Sequence, residues 1–208
     1  MSHQDPYSHI APVYDLAVDF WTNTIRREIC TMLDTGWVRT VVDLGCGTGR
    51  LCSMLRETGF EVYGVDSSAA MLARAERSSS SIKYLQQDIT ATPFSDHSFH
   101  AAVISLVLHE HPGSVQETIL DEALRIVTPG GFLVLLDYGD ISATAPWVLH
   151  YLIHIPERIA GKKHYHNYRA FIKKGGLKGQ LRSRDSIETV QEKGFYQNTL
   201  WLYLGQKI

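Results

Sequence analysis

The chain has little cysteine and no arrangement of it that suggests a bridge or a metal. Its three cysteines, Cys30, Cys46 and Cys52, are odd in number and follow no metal-ligand spacing, which argues for a reducing compartment rather than a disulfide framework. Long apolar runs are also missing. The longest mostly apolar stretch, Ala145 to Ile155, is interrupted by two histidines and falls short of the roughly 20 residues that a membrane-spanning helix needs. No N-terminal stretch joins basic residues to an apolar core as a signal peptide does, so a cytoplasmic location is expected. Charge of one sign is lacking as well: 20 Lys and Arg against 22 Asp and Glu leave a net charge of −2. That balance argues against a whole-surface nucleic-acid binder, and no nucleic-acid partner is expected. Internal repeats are absent, and the only low-complexity feature is the serine run Ser78 to Ser81.

What is present is enough for one sizeable core: 208 residues, 44% of them apolar, suit one domain with some elaboration. From residue 40 to residue 138, short β-branched runs alternate with helical patterns, the signature of a parallel sheet covered by helices. Strands are expected at Thr40 to Leu44, Glu61 to Asp66, Ile82 to Gln86, Ala101 to Leu108 and Gly131 to Asp137. Helices are expected at Gly49 to Glu57, Ser68 to Arg77 and Val115 to Val127, each followed by a breaker. Apolar residues at Leu16, Phe20, Ile25, Ile29 and Leu33 give Tyr14 to Leu33 the period of a helix packed on the sheet. A last helix, Ser186 to Lys193 capped by Asp185, and a β-rich end from Thr199 to Gly205 complete the reading. The expected fold is α/β: a Rossmann-like, doubly wound, mostly parallel sheet with an N-terminal helix and a helical cap inserted after the fifth strand. One domain, 1–208, then has its core at 36–140 and 185–208 and its cap at about 142–184.

The first strand runs into VVDLGCGTGR, where Gly45, Gly47 and Gly49 alternate with single residues. A strand that turns into a helix through such a loop leaves unpaired backbone N–H groups and a positive dipole end facing one cavity. The spacing is not the G-x-G-x-x-G of a dinucleotide fold, and no Gly-Lys-Ser/Thr follows as in a P-loop. Asp43, two residues before the first glycine, brings negative charge where a pyrophosphate would lie, and so suits a cationic or amine-bearing ligand. Asp66 ends the second strand, where an acid can accept both hydroxyls of a ribose. Asp88 follows the third strand, where its side chain or the adjacent backbone can meet an adenine amino group. Helix capping and tight turns are the competing explanations for these residues.

On these residues the sequence resembles the class I S-adenosylmethionine-dependent methyltransferases, and within them the ubiquinone/menaquinone biosynthesis, or type 11, group. APVYDLA, VVDLGCGTG, VYGVDSSAAML, YLQQDITATPFSDHSF and LRIVTPGGFLVLLD stand where that group's segments stand. The resemblance implies S-adenosyl-L-methionine as cofactor and S-adenosyl-L-homocysteine as product. It places Asp43, Gly45, Cys46, Gly47, Thr48, Gly49, Asp66, Ser67, Met71, Asp88, Ile89 and Ser105 at cofactor-binding positions, with Tyr14 closing over the ligand. The likeness spans about residues 7 to 140. The 142–185 insertion has no counterpart in the quinone enzymes, and with 13 residues after Phe195 one strand of the final hairpin is expected to be short or missing.

Methyl transfer from a sulfonium needs the nucleophile and the methyl group held in line, and few catalytic side chains. An acceptor that must lose a proton benefits from a base, for which a histidine suits neutral pH. His109, in LHEHP at the end of the fourth strand, is the candidate base, with Glu110 as its orienting partner; a loop histidine in solvent is the competing reading. His109 and His111 hint at a metal, but no third ligand stands at usable spacing, so no metal is expected. Trp147 to Ile155 is apolar around most of a helical circumference and suits core, a subunit contact or a pocket wall. From Arg158 to Arg184 there are nine lysines and arginines and no acid; an anionic substrate, a phospholipid surface, RNA or the solvated face of a surface helix are the open explanations. Trp147, Tyr165, Tyr168 and Arg169 are the substrate-side candidates. The expected partner is a small methyl acceptor, hydrophobic or partly anionic, with a peripheral membrane contact through the basic cap left open and the chain a monomer or homodimer. A non-catalytic cofactor-binding regulator and a nicotinamide dehydrogenase are the rival functions.

Overall fold

A computed structural model describes residues 11–139, 162–181 and 184–208, with side chains from residue 22 onward. In chain order the elements are α1 (Ala11–Leu33), β1 (Thr40–Leu44), α2 (Arg50–Glu57), β2 (Glu61–Asp66), α3 (Ala69–Ser78), β3 (Lys83–Gln86) and β4 (Phe99–Ser105). A 3-10 turn, η1 (Leu108–Glu110), leads to α4 (Gly113–Ile126) and β5 (Val127–Tyr138). Beyond residue 161 come α5 (Lys162–Lys173), α6 (Gly176–Leu181), β6 (Ile187–Phe195) and β7 (Leu200–Lys207).

The seven strands form one sheet in the order β3-β2-β1-β4-β5-β7-β6. The first five are parallel to their neighbours, while β7 runs antiparallel to both β5 and β6. Both faces are covered, which is why β5 reads as an almost unbroken apolar run rather than an alternation. Ile25, Ile29 and Leu33 of α1 and Cys52 and Leu55 of α2 pack with Val41, Val103 and Val134 on one face. Ile119, Leu120 and Ala123 of α4, Phe171 of α5 and Leu177 of α6 pack with Val42, Ala102 and Leu135 on the other. Each fully buried aliphatic side chain contributes about 1.5–3 kcal/mol of transfer free energy, so the two layers fix the order of the strands. The chain winds outward through β1, β2 and β3, then crosses to β4 and β5 on the other side of β1. Ligands of such sheets bind outside the carboxyl ends of the strands where the order reverses, here at the ends of β1 and β4.

Three expectations are corrected. Ser186 to Lys193 is not a helix capped by Asp185 but most of β6, and neither strand of the final hairpin is missing: β6 pairs with β7 from Ile187↔Lys207 to Phe195↔Leu200. As an edge strand, β6 is exposed along nearly all its length, so it carries no alternation that would distinguish it from a polar helix. The fourth strand also ends earlier than its apolar run. Leu106 takes φ 59° and the chain turns into η1, so Val107 and Leu108 fill the core from a turn. The helix expected over Trp147 to Ile155 lies outside the described residues.

Candidate functional site

The ends of β1, β2 and β4 meet at one cavity of about 460 Å³, lined by Gly45, Gly47, Asp66, Ser67, Met71, Asp88, Ile89 and Ser105 on the sheet side and by Glu110, His111, Lys163, His164 and Asn167 on the α5 side. A smaller cavity of about 60 Å³ continues it beneath α1, sharing Gly45, Gly47 and Ser105 and adding Thr22, Arg26, Asp43, Cys46 and Thr48.

The glycine loop is tied down before any ligand arrives. The N–H groups of Gly45 and Cys46 donate to the Val65 carbonyl at 2.8 and 3.0 Å, and Gly49 N–H donates to the Cys46 carbonyl at 2.9 Å. Gly47 has φ 53° with open space where a Cβ would stand, whereas a Cβ on Gly49, at φ 73°, would lie 2.4 Å from the Tyr84 hydroxyl and 2.8 Å from Ala75 Cβ. The two glycines are thus required for different reasons. Gly47 exposes main chain to the cavity, and Gly49 lets α2 and α3 close on the sheet.

Asp66 receives the Gly47 N–H on Oδ2 and the Ser68 N–H on Oδ1, both at 2.8 Å. A carboxylate has about four acceptor positions on its two oxygens, the chemistry that suits two vicinal hydroxyls. Asp88 is bound by its own turn, with the Thr90 N–H and hydroxyl donating to Oδ1 at 2.8 and 2.7 Å. Those bonds, the backbone one first, hold its pKa below the ordinary carboxylate value. It therefore caps a turn and also faces the cavity, beside the buried Ile89.

Asp43 is 2% exposed. The Cys52 thiol donates to its Oδ2 at 3.4 Å, and Oδ1 has no partner among the described residues. Desolvation pushes its pKa up to about 7, against the lowering effect of Cys52 and of the Arg26 charge. A buried acid with an unmet oxygen beside a cavity suits a cationic group. Arg26, opposite, suits a carboxylate, so the small cavity offers both charges that an α-amino acid head requires. Arg26 was not among the residues singled out in the sequence. Its signal was a basic residue next to the apolar stripe of a helix that covers the end of β1.

On the far side, His109 is 4% exposed and lies behind the cavity wall. Its Nδ1 meets Asp137 Oδ1 at 2.7 Å and its backbone N–H donates to Oδ2 at 3.2 Å. Asp137, on β5, is thus an orienting partner of the ring, while the carbonyl of the adjacent Glu110 accepts from Asn167 Nδ2 at 2.6 Å. The ring is enclosed by Tyr138, His164 and Tyr168 at centroid distances of 4.8, 5.5 and 6.2 Å. Of the substrate-side candidates, Tyr168 is buried against Tyr138, Tyr165 stacks on it from a half-buried position, and Arg169 is exposed; none of the three lines the cavity. Trp147 and the side chain of Tyr14 lie outside the described residues. Part of the basic segment serves the fold: Lys178 sits 3.5 Å above the Trp201 ring and Arg184 pairs with Asp121 and Glu117 of α4. Among the described residues, no helix is long and apolar enough to cross a membrane.

Comparison with known proteins agrees with this geometry. The family described as Methyltransferase domain matches residues 42–135. A demethylmenaquinone methyltransferase of Thermus thermophilus is 35% identical over 143 residues, 64% of this chain and 64% of that protein. One from Paenarthrobacter aurescens is 33% identical over 139 residues, 64% of this chain and 53% of its own length. The chain thus spans between half and two thirds of these relatives. Among solved structures, the complex between the Haloferax volcanii Trm112 methyltransferase activator and the putative methyltransferase superposes with TM-score 0.70 at 17% identity, covering 99% of this chain and 97% of the other. A Burkholderia thailandensis 1,6-didemethyltoxoflavin-N1-methyltransferase holding S-adenosylhomocysteine gives TM-score 0.62 at 14% identity over 97% and 86%; both likenesses establish the fold. The chain is thus similar over residues 42–135 to the methyltransferase domain family, and it shares its fold with S-adenosylmethionine-dependent methyltransferases of known structure.

Proposed function

We propose that this chain transfers the methyl group of S-adenosylmethionine to a small acceptor, hydrophobic or partly anionic, held between the glycine loop and α5. The observation that carries the reading is the continuity of the cavity, which joins the loop and its acids to a wall of His111, Lys163 and His164. In this reading Arg26 and Asp43 take the methionine carboxylate and ammonium, Gly45 and Gly47 the main chain beside it, Asp66 the ribose, and Asp88 and Ile89 the adenine. The sulfonium carries its own leaving group, so holding the acceptor in line supplies most of the rate. Bound cofactor would supply the electrophilic methyl group, and the residues of this chain would orient it and exclude water.

The demethylmenaquinone names of the relatives favour a quinone-like ring as acceptor, and Lys163 at the wall favours an anionic oxygen on it. His109, expected as a base, would need its Nε2 to reach past the wall. Fixed by Asp137, it suits the role of a positioning residue for the groups in front of it. The test is turnover: purified chain incubated with methyl-labelled S-adenosylmethionine and a panel of quinols, phenols and thiols should release S-adenosylhomocysteine with at least one class. A chain that binds the cofactor tightly and turns over none of them would instead be a binding protein.

A further inference from the structure

His109 and His111 offer no third ligand in sequence, but α5 brings one. The donor atoms of His109, Glu110 and His164 all lie within 4.8 Å of one another. Two imidazoles and one carboxylate are the ligand chemistry of zinc and its first-row neighbours, not of magnesium or calcium, which prefer oxygen alone.

The surroundings favour ligation. Asp137 accepts at Nδ1 of His109, which makes Nδ1 the protonated nitrogen and Nε2 the one with the lone pair. A carboxylate behind an imidazole is the usual way a ligating histidine is oriented and made more basic. Asp137 is itself buried and also receives the His109 and Tyr138 backbone N–H groups, so the dyad is rigid. Asn167, one helical turn after His164, donates to the Glu110 carbonyl at 2.6 Å and locks α5 over η1. Tetrahedral bonds of about 2.0–2.1 Å would set donors about 3.3 Å apart. Small rotations of the half-buried Glu110 and His164 toward the fixed His109 supply that closure. Glu110 and His164 line the large cavity and His109 stands behind them, so any remaining coordination position opens toward the cofactor loop.

We infer that His109, Glu110 and His164 form a site for a divalent transition metal at the acceptor end of the cavity, with Asp137 as its positioning residue. Its use, which rests on the methyltransferase reading, is to hold the acceptor oxygen or sulfur as an anion. The acceptor releases its proton to solvent on coordination. The methyl carbon then bonds to that anion while the pair of its carbon–sulfur bond stays on the sulfonium sulfur, leaving a neutral ether or thioether and S-adenosylhomocysteine.

The test is metal binding by the full-length chain after removal of metal with a chelator. Titrated with Zn2+ in a calorimeter, and with Co2+ followed by visible absorption, it should bind one ion per chain, with the intense ligand-field bands of a four-coordinate Co2+ site. His164→Ala and the near-isosteric Glu110→Gln should each weaken Zn2+ at least about 10-fold, Asp137→Asn about 10- to 100-fold, and the exposed His166→Ala not at all. No Zn2+ binding, or binding unchanged in His164→Ala and Glu110→Gln variants that unfold at the wild-type temperature, would overturn the site. Titration with S-adenosylhomocysteine in metal-free buffer keeps the two readings apart: its failure would remove the methyltransferase reading and leave the metal result standing.

Discussion

Gly47 donates its backbone N–H to the Asp66 carboxylate at 2.8 Å, so the glycine loop and the acid proposed to hold the ribose are one hydrogen-bonded unit. Asp66→Ala removes the carboxylate proposed to accept the ribose hydroxyls and frees the loop. It is expected to weaken S-adenosylhomocysteine binding by about 1–3 kcal/mol, about 5- to 150-fold. Calorimetry of the variant checks this, and an unchanged affinity would take Asp66 out of the site.

The loop glycines separate binding from folding. Gly49→Ala forces a Cβ to within 2.4 Å of the Tyr84 hydroxyl and 2.8 Å of Ala75 at positive φ, and should lower stability by about 1–3 kcal/mol. Gly47→Ala meets nothing within 4 Å and carries only the backbone cost of a left-handed residue, about 1 kcal/mol, but its methyl enters the space proposed for the cofactor. Thermal unfolding with and without S-adenosylhomocysteine should show Gly49→Ala melting early. Gly47→Ala should melt near wild type and gain little from ligand. The reverse pattern would mean that Gly47 does not face the ligand.

Asp43 gives the binding reaction a pH dependence. Burial raises its pKa in the folded chain to about 7, above the ordinary carboxylate value. The stability tied to its neutral form is therefore complete below the unfolded pKa and is lost as pH rises from about 4 through about 7. A ligand cation beside it reverses the preference and expels the proton. S-adenosylmethionine affinity should then rise with pH up to about 7, with close to one proton released per molecule bound near pH 6. Binding enthalpies in two buffers of different ionisation enthalpy measure that proton. Asp43→Asn should abolish the release, and buffer-independent heats in the unsubstituted chain would contradict the placement of the cation.

The buried dyad behind the cavity should matter for turnover and not for the cofactor. His109→Ala is expected to slow methyl transfer about 10- to 100-fold while S-adenosylhomocysteine affinity stays within about twofold. Asp137→Asn should act in the same direction, because it disturbs the tautomer and orientation of the imidazole. Steady-state rates with a reactive acceptor check this, and wild-type rates for both variants would exclude the dyad from the reaction.

Much of this was legible in the residues. The crossover units and the strand-end acids announce themselves because a sheet covered on both faces needs continuous apolar runs, and a loop that receives a ligand needs bare main chain. β6 was not legible. An exposed edge strand such as Ile187–Phe195 is held by pairing with Leu200–Lys207, which no local pattern records. Asp137 as a partner of His109 was missed for a related reason. Glu110 is its neighbour in sequence, yet the left-handed Leu106 and the turn after it aim the ring at Asp137, one strand away. His164 depends on the same kind of long-range approach, since the packing of α5 on η1 brings it to Glu110.

The central claim is tested most directly by a crystal structure of this chain with S-adenosylhomocysteine. The account predicts the ribose hydroxyls on Asp66, the adenine beside Asp88 and Ile89, and the amino-acid head between Arg26 and Asp43. A ligand bound away from the Gly45–Gly49 loop, or crystals that take up NAD at that loop and not S-adenosylhomocysteine, would contradict it.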